Sequence, residues 1–192
     1  MVKPSVKERI VEVAWALFDE KGYDNVSVDE IISKAGSSKG AFYHYFASKD
    51  ELLSALPEKF DADYDEWATL VDPSMHSADK IIALARFVCK NMELKLSRQV
   101  ITLIYSTQLI TRGQKFLIAE NRKYFELLNQ YIAEGQEQGE ISDEIACTEL
   151  SQILDILLRG LIYDWCLRSG AYSLEALCEK IFTTYLSSYR MD

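Results

Sequence analysis

The side chains best suited to binding chemistry lie in one short segment, residues 27–46, SVDEIISKAGSSKGAFYHYF. The outward positions of its second half, at helical spacing, are Lys39, Gly40, Tyr43 and His44. Lysine, histidine and tyrosine donate hydrogen bonds to phosphates and base edges, and glycine lets a backbone approach closely. Residues 31–49 contain three lysines and no Asp or Glu. The segment therefore predicts contact with nucleic acid.

Two short amphipathic helices separated by a turn must position these side chains. The first helix carries one apolar stripe and the second another: Val28, Ile31, Ile32 and Ala35, then Ala41, Phe42, Tyr45 and Phe46. Between them, Gly36 can adopt positive φ, and Ser38 can cap the following helix. Ser27 is placed to cap the first helix, with Glu30 completing a capping box. The pattern predicts a helix-turn-helix, whose second helix enters the major groove of DNA.

Charge is distributed so that DNA contact must be local. The chain of 192 residues has a net charge of −9, of which residues 1–50 contribute −1 and the remainder −8. An acidic body repels DNA, so binding is confined to one locally basic surface. With 48% apolar and 27% charged residues, the composition is that of a globular protein with a real core.

Catalytic, metal-binding and targeting signals are missing from the sequence. The two histidines, His44 and His76, lack the setting of a nucleophile–histidine site, and no nucleotide-binding or zinc-protease motif occurs. We therefore predict no enzyme activity, no metal and no cofactor. The cysteines form no CxxC pair and are predicted to be buried thiols, with a redox sensor as the alternative: Cys89, Cys147, Cys166 and Cys178. Without a signal peptide or a spanning apolar run, we expect a cytoplasmic protein with no membrane contact.

The rest of the chain predicts an all-α fold of about nine helices, with a three-helix N-terminal head and a larger C-terminal helical domain. The first helix is expected from about Ser5 to Lys21, and a fourth helix from Ser48 to about Leu70 with a kink near Pro57. The later helices are predicted at about Ala78–Leu96, Arg98–Ile110, Gln114–Glu137, Asp143–Ser169 and Ser173–Tyr189.

The run from Ala14 to Leu53 resembles the DNA-binding domain of tetracycline-repressor-type (TetR family) transcriptional regulators. The residues that carry the resemblance are Phe18, Gly22, Tyr23, Ser27, Ile31, Ala35, Gly36, Ser38, Lys39, Gly40, Tyr43, Tyr45, Phe46, Ser48, Lys49, Leu52 and Leu53. One departure is Ser37, at a turn position that is commonly valine in the family; it removes a small apolar contact. The resemblance implies a DNA-binding domain over residues 1–48 and an effector-binding and dimerisation domain over residues 49–192.

The resemblance also implies which residues contact double-stranded DNA. Phosphate contacts are expected from Ser27, Tyr43, Tyr45 and Lys49. Lys39, Gly40 and Tyr43 are expected closest to base edges, and Lys39 can donate to a guanine. We add Ser38, beyond its capping role, and His44 as a further phosphate donor.

The last two helices carry wide apolar faces that fill the subunit core or form a dimer interface. A reader of palindromic DNA needs two-fold symmetry, so we expect a homodimer through this pair. The candidate interface residues are Leu154, Leu158, Leu161, Leu177, Ile181 and Tyr185.

TetR-like regulators bind a small-molecule effector among the C-terminal helices and then release a palindromic operator. Pocket candidates are aromatic or polar residues on those helices: Trp67, Phe87, Cys89, Met92, Tyr105, Gln108, Phe125, Tyr163, Trp165 and Cys166. Asp155 and Asp164 either bind a cation there or pair with Arg159 and Arg168 at four-residue spacing. The sequence thus predicts a repressor; the alternatives are an activator of the same fold, or a helical interaction module that has lost DNA binding.

Overall fold

The computed structural model describes residues 4–110, 112 and 115–191, and within them the chain is built from helices. The α-helices of this part of the chain are α1 Val6–Lys21, α2 Val28–Lys34, α3 Lys39–Tyr45, α4 Leu56–Ala68, α5 Ser77–Lys95, α6 Arg98–Ile110, α7 Lys123–Glu137, α8 Cys147–Leu167 and α9 Leu174–Leu186. Short 3-10 helices lie at Tyr23–Asn25, Asp50–Ala55 and Phe116–Ile118. The predicted all-α fold with about nine helices is confirmed.

Packing divides the chain into two units, which are described separately. The first unit contains residues 4–60 and 99–117, and the second contains residues 61–98 and 118–191. These units group residues by packing, so the predicted functional division between residues 48 and 49 stays a prediction.

The first unit is organised by α1, which packs against both α2 and α3. Its N-terminus carries a capping box, in which Ser5 Oγ accepts from Glu8 N and Glu8 accepts from Ser5 N. At the other end Gly22 has φ +78°, a left-handed value that suits glycine and stops the helix. The core of this part of the unit consists of buried apolar side chains: Ile10, Ala14, Leu17, Phe18, Ile31, Phe42, Phe46 and Leu52.

The turn between α2 and α3 is a Schellman motif. Gly36 has φ +58°, its N–H donates to Ser33 O at 3.2 Å, and Ser37 N donates to Ile32 O at 3.0 Å. An ideal Cβ on Gly36 meets no atom within 4 Å, so the backbone angle rather than space requires glycine there. Arg9 of α1 fixes the same turn by donating to Ala35 O at 3.1 Å.

The fourth helix departs from the prediction at its start. Residues 50–55 form a 3-10 helix and α4 begins only at Leu56, which places Pro57 in the first turn, where its missing N–H breaks no helical hydrogen bond. The predicted kink is therefore a change of helix type. The helix continues to Ala68, two residues short of the predicted end.

In the second unit, α5 packs against α7 and α9, and α8 packs against α7 and α9. Three aspartates of α4 form ion pairs with basic residues of α5, of α7 and of the position just before α7. Asp61 Oδ2 receives Arg122 Nε at 2.7 Å, Asp63 receives Lys95 Nζ at 3.0 Å, and Asp65 receives Lys123 Nζ at 2.8 Å. These ion pairs attach the C-terminal half of α4 to the rest of the second unit.

Two carboxylates from other elements cap helices of this unit. Glu93 of α5 accepts from the backbone N–H groups of Leu174, at 2.8 Å, and Glu175, at 3.2 Å, at the start of α9. Glu140 accepts from Ser77 N at 2.7 Å at the start of α5, which lowers the pKa of Glu140.

The starts of the seventh and eighth helices were predicted too early. The eighth helix begins at Cys147, after the predicted Asp143. The seventh helix begins at Lys123, whereas its predicted start, Gln114, lies outside the described residues.

The thiols lie largely where expected. Cys89 and Cys178 are fully buried, and a hydrogen bond between them, together with burial, raises the pKa of Cys89. A raised pKa keeps that thiol protonated, which disfavours redox chemistry there.

Candidate nucleic-acid interface

Helix α3 presents a polar, aromatic face to solvent and an apolar face to the core. Phe42 is completely buried, which fixes the rotation of the helix. Lys39 and Tyr43, four residues apart, therefore lie together on the exposed side, and Tyr43 is 49% exposed. His44 and Tyr45 are also exposed, with their rings 4.8 Å apart. This arrangement brings the predicted contact residues of α3 to the surface.

The two predicted serines use their hydroxyl oxygens as helix caps. Ser27 Oγ accepts from Glu30 N at 3.2 Å, and Ser38 Oγ accepts from Ala41 N at 3.1 Å. In each case the hydroxyl proton can still donate to a phosphate. The predicted capping box at Ser27 is half present, because the Glu30 carboxylate binds Lys21 Nζ at 2.6 Å.

Among the described residues no contact requires glycine at position 40. The nearest atom to an ideal Cβ there is Ser38 Oγ at 4.0 Å, and Gly40 is not among the glycines with positive φ. The absence of a side chain at position 40 leaves room for another molecule to approach the α3 backbone closely.

Lys49 is bound more tightly than its predicted role as a free phosphate donor implies. Its ammonium donates to Tyr23 O at 2.8 Å and Val26 O at 3.0 Å, and lies 4.1 Å from the centre of the Tyr23 ring. An ammonium has three N–H groups, so one stays available for a phosphate. Burial, and then the hydrogen bond from Tyr23 to Asp50, raise the pKa of Tyr23. Lys49 thus holds the loop before α2, a role that the sequence did not reveal.

Two of the three lysines in residues 31–49 are paired with acids that precede this stretch. Lys39 Nζ lies 3.2 Å from Asp29 Oδ1, and Lys34 Nζ lies 3.7 Å from Glu20 Oε2. The acid-free stretch of sequence therefore does not make a surface of unpaired lysines. The exposed side of α3 is locally close to neutral in the free protein.

In the second unit, three of the predicted effector residues belong to an aromatic cluster. Trp67 stacks on Phe87, with 5.3 Å between ring centres. Tyr64, which the sequence reasoning missed, lies 6.0 Å from Phe87 and 6.2 Å from Tyr124. Phe125 completes the series at 5.2 Å from Tyr124. The tyrosines that were not predicted, Tyr64 of α4 and Tyr124 of α7, are buried. Their helical spacing was the feature of the sequence that could have identified them.

Tyr124 carries an unsatisfied hydroxyl in this cluster. The side chain is buried, and its oxygen has no hydrogen-bond partner among the described residues. Burial, followed by the charge of Asp155, raises the pKa of Tyr124 well above its ordinary value. A polar ligand atom or a water is what such a group lacks.

Other predicted pocket residues do not join the cluster. Tyr163 is 49% exposed on the outer side of α8, so its prediction as an interior pocket residue is wrong. Trp165 donates its indole N–H to Tyr172 O at 2.9 Å and is thereby satisfied within the fold. Tyr105 and Gln108 belong to the first unit, where Leu117 N donates to Gln108. Met92 is buried, Cys89 lies against Cys178, and Cys166 is half-buried.

The two aspartates of α8 pair with arginines. Asp155 Oδ2 receives Arg159 Nε at 2.7 Å, and Asp164 Oδ2 receives Arg168 Nε at 2.8 Å. Burial raises the pKa of Asp155, against the attraction of Arg159. Within the described ranges no cluster of His, Cys, Asp and Glu has the arrangement of a metal site.

The predicted interface residues of α8 require correction. Leu154, Leu158 and Leu161 are 0%, 3% and 8% exposed within a single chain, so they fill its own core. The apolar side chains left uncovered on α8 are on the opposite side: Ile156, 59% exposed, Tyr163, and Leu167, 65% exposed. With Gly160 they follow one face of the helix, and a Cβ built at Gly160 meets no neighbour within 4 Å in the described part of the chain. On α9 the predicted residues Leu177, Ile181 and Tyr185 are half-buried.

None of the helices in the described part of the chain combines the length and the apolar character that a bilayer crossing demands.

Comparison with known proteins agrees with this geometry. Residues 10–56 match the family model of the bacterial regulatory proteins of the tetR family, and residues 77–188, more than half of the chain, match that of the YsiA-like protein C-terminal region. The Transposon Tn10 TetC protein of Escherichia coli is 55% identical over 51 residues, a match that covers 27% of this chain and only 26% of TetC.

Among the matches that extend along most of the chain are a fatty acid regulator and the structure of a repressor in complex with an acyl-CoA. The fatty acid metabolism regulator protein of Bacillus subtilis is 22% identical, with 93% of each chain covered. The structure of Thermus thermophilus FadR, a TetR family repressor in complex with lauroyl-CoA, superposes with a TM-score of 0.74 at 17% identity, covering 94% of this chain and 93% of FadR. At that identity the likeness concerns the fold. Together with the family models, the helix-turn-helix of the first unit and the helical second unit place the chain in the TetR family of bacterial transcriptional regulators.

Proposed function

We propose that the protein is a cytoplasmic transcriptional repressor that binds a palindromic operator as a homodimer and is released by a small-molecule effector. The observation that carries the proposal is the capped helix-turn-helix, in which buried Phe42 turns Lys39 and Tyr43 outward together. A helix presented in this way fits the major groove, and its side chains reach base edges and phosphates.

On DNA, α3 enters the major groove with its N-terminal end near the bases. Lys39 donates to a guanine edge, while Tyr43 and the hydroxyl protons of the two capping serines donate to phosphates. The third N–H of Lys49 reaches a phosphate beside the loop that it stabilises. Gly40 allows the sugar-phosphate backbone or a base to approach the helix closely.

Two copies bind through the uncovered face of α8, Ile156, Gly160, Tyr163 and Leu167, together with the half-buried residues of α9. Exposed apolar side chains at helical spacing mark an association surface, and glycine permits close helix approach. Leu167→Glu is expected to convert the dimer to a monomer of 22.0 kDa, as measured by sedimentation. Leu109→Glu, the same change at a 71% exposed position on α6, is the control and should leave the mass unchanged.

For the effector we propose a fatty acyl-CoA, held by its acyl chain among the aromatic side chains of the second unit. The support is that two of the relatives matching along most of the chain are a fatty acid metabolism regulator and a repressor bound to lauroyl-CoA. The aromatic cluster offers apolar area, and the unsatisfied Tyr124 hydroxyl offers a donor to a thioester carbonyl.

Release follows if the effector favours a conformation whose recognition helices no longer span two half-sites. Residues 61–68 of α4 belong to the second unit and residues 56–60 to the first, so α4 can carry a displacement from one to the other. Converting a population from 99:1 to 1:99 requires an affinity difference of about 10⁴ between the two states.

The test begins by selecting genomic DNA fragments on the purified protein and measuring binding to the recovered site by fluorescence anisotropy. Lys39→Ala combined with Tyr43→Ala should abolish site-specific binding, and Lys90→Ala, an exposed lysine of α5, should not. Acyl-CoA should weaken binding whereas free coenzyme A should not. If the double variant binds as well as the wild type, α3 is not the reading element.

A further inference from the structure

Lys39, the first residue of the recognition helix, is held by an acid from the preceding helix. Its Nζ lies 3.2 Å from Oδ1 of Asp29, the second residue of α2. Both side chains are exposed, Lys39 to 66% and Asp29 to 76%, so solvent and DNA have access to the pair. The carboxylate neutralises the ammonium charge and restrains its position, so a DNA acceptor competes with Asp29 for Lys39.

The two kinds of DNA acceptor compete with Asp29 on different terms. Phosphates are present at every position of any DNA sequence. When Lys39 leaves Asp29 for a phosphate, it exchanges one anionic partner for another, so little free energy is gained. A guanine edge offers two acceptors, O6 and N7, at one place only, and the rest of the interface must already be in register. Asp29 therefore weakens the contact of Lys39 with phosphates more than its contact with a guanine edge.

We propose that Asp29 is a specificity-determining residue that keeps Lys39 out of non-specific phosphate contacts. The inference rests on the proposed DNA-binding function and adds to it a residue that need not touch a base. In non-specific complexes Lys39 stays paired with Asp29. In the operator complex Lys39 leaves Asp29 for a base edge.

Asp29→Asn keeps the shape of the side chain and removes its negative charge. On a random-sequence duplex the freed Lys39 adds one phosphate contact, so the slope of log K against log salt becomes steeper by about 0.9. The same contact raises the affinity for random duplex on the order of 8-fold at 0.1 M salt. The slope on the operator stays as in the wild type, since Lys39 contacts a base there in both proteins.

Two controls separate this role from a general effect of charge. Glu20→Gln removes one negative charge from the same unit and frees Lys34, whose Nζ lies 3.7 Å from Glu20. Because Lys34 ends α2 and lies outside α3, the helix proposed to enter the major groove, this change should leave the slope on random duplex unchanged. In a Lys39→Met background, Asp29→Asn should likewise have no effect. Thermal melting by circular dichroism verifies that each variant is folded.

The inference is overturned if Asp29→Asn leaves the random-duplex slope unchanged, if Glu20→Gln steepens it equally, or if the effect persists without Lys39. The last result would mean that Asp29 repels phosphates directly. Failure of the proposed function is recognised separately. If no operator is recovered but Asp29→Asn steepens the random-duplex slope, sequence-specific regulation is wrong while the Lys39–Asp29 competition holds.

Discussion

Replacing Tyr124 by phenylalanine removes a single oxygen atom from the interior of the second unit. That oxygen is buried and lacks a hydrogen-bond partner among the described residues. In water the same hydroxyl is hydrogen-bonded, so folding desolvates it without compensation. Tyr124→Phe is therefore expected to stabilise the fold, although most core substitutions destabilise.

The magnitude follows from the cost of an unsatisfied buried polar group, about 1–3 kcal/mol. The ring and its contacts with Tyr64 and Phe125 are unchanged, and the small void left by one oxygen offsets part of the gain. We expect a net stabilisation of about 1 kcal/mol, which for a chain of this size corresponds to an increase in Tm of about 2–4 °C.

The assay is thermal and urea unfolding monitored by circular dichroism, with a hydrogen-bonded tyrosine of the same unit as control. Tyr172 Oη donates to Asp164 Oδ2 at 3.0 Å, so Tyr172→Phe removes a satisfied hydroxyl and should lower the Tm. The two substitutions delete the same atom and are expected to act in opposite directions. If Tyr124→Phe lowers stability by about 1 kcal/mol or more, the hydroxyl has a partner in the folded protein, such as a buried water, and the reasoning is wrong.

Three further substitutions test other parts of the account. Ser37 Oγ is buried without a partner in the described structure, so Ser37→Val should raise the Tm of the first unit. Gly135→Ala places a Cβ 2.7 Å from Ile141 Cδ1 and 2.8 Å from Ser77 Cβ, and should cost about 1–3 kcal/mol of unfolding free energy in urea titrations. Because the fold lowers the pKa of Glu140, its carboxylate makes its full contribution to the free energy of unfolding above the ordinary pKa of 4.5. This contribution is lost as the pH falls from 4.5 through the lowered pKa. The stability difference between the wild type and Glu140→Gln, followed by urea unfolding, should shrink over that range.

Local features of the first unit were predictable because short-range chemistry determines them. The caps at Ser27 and Ser38 and the positive φ of Gly36 each depend on residues within a few positions along the chain. Contacts between distant segments were not accessible. Lys49 reads as a free basic residue in the sequence, yet the carbonyl groups that it binds lie 26 and 23 positions earlier.

The orientation of α8 was the main error, and its cause is the composition of the helix. Leu154 and Leu158 face the core, while Ile156 and Leu167 remain exposed, so apolar residues occur on both sides. Periodicity identifies one wide stripe and does not say which half the subunit itself covers. The start of α4 was missed for a related reason, since capping signals at Ser48 do not distinguish a 3-10 turn from an α-helical one.

The central claim is that α3 reads a specific DNA sequence, and the most direct test is competition between duplexes. The affinity of the purified protein for its selected operator is compared with that for a scrambled duplex of the same length and base composition, at one salt concentration. We expect the operator to bind at least about 10³-fold more tightly, and Lys39→Ala with Tyr43→Ala to remove the difference. Equal affinity for the two duplexes in the wild type would contradict it.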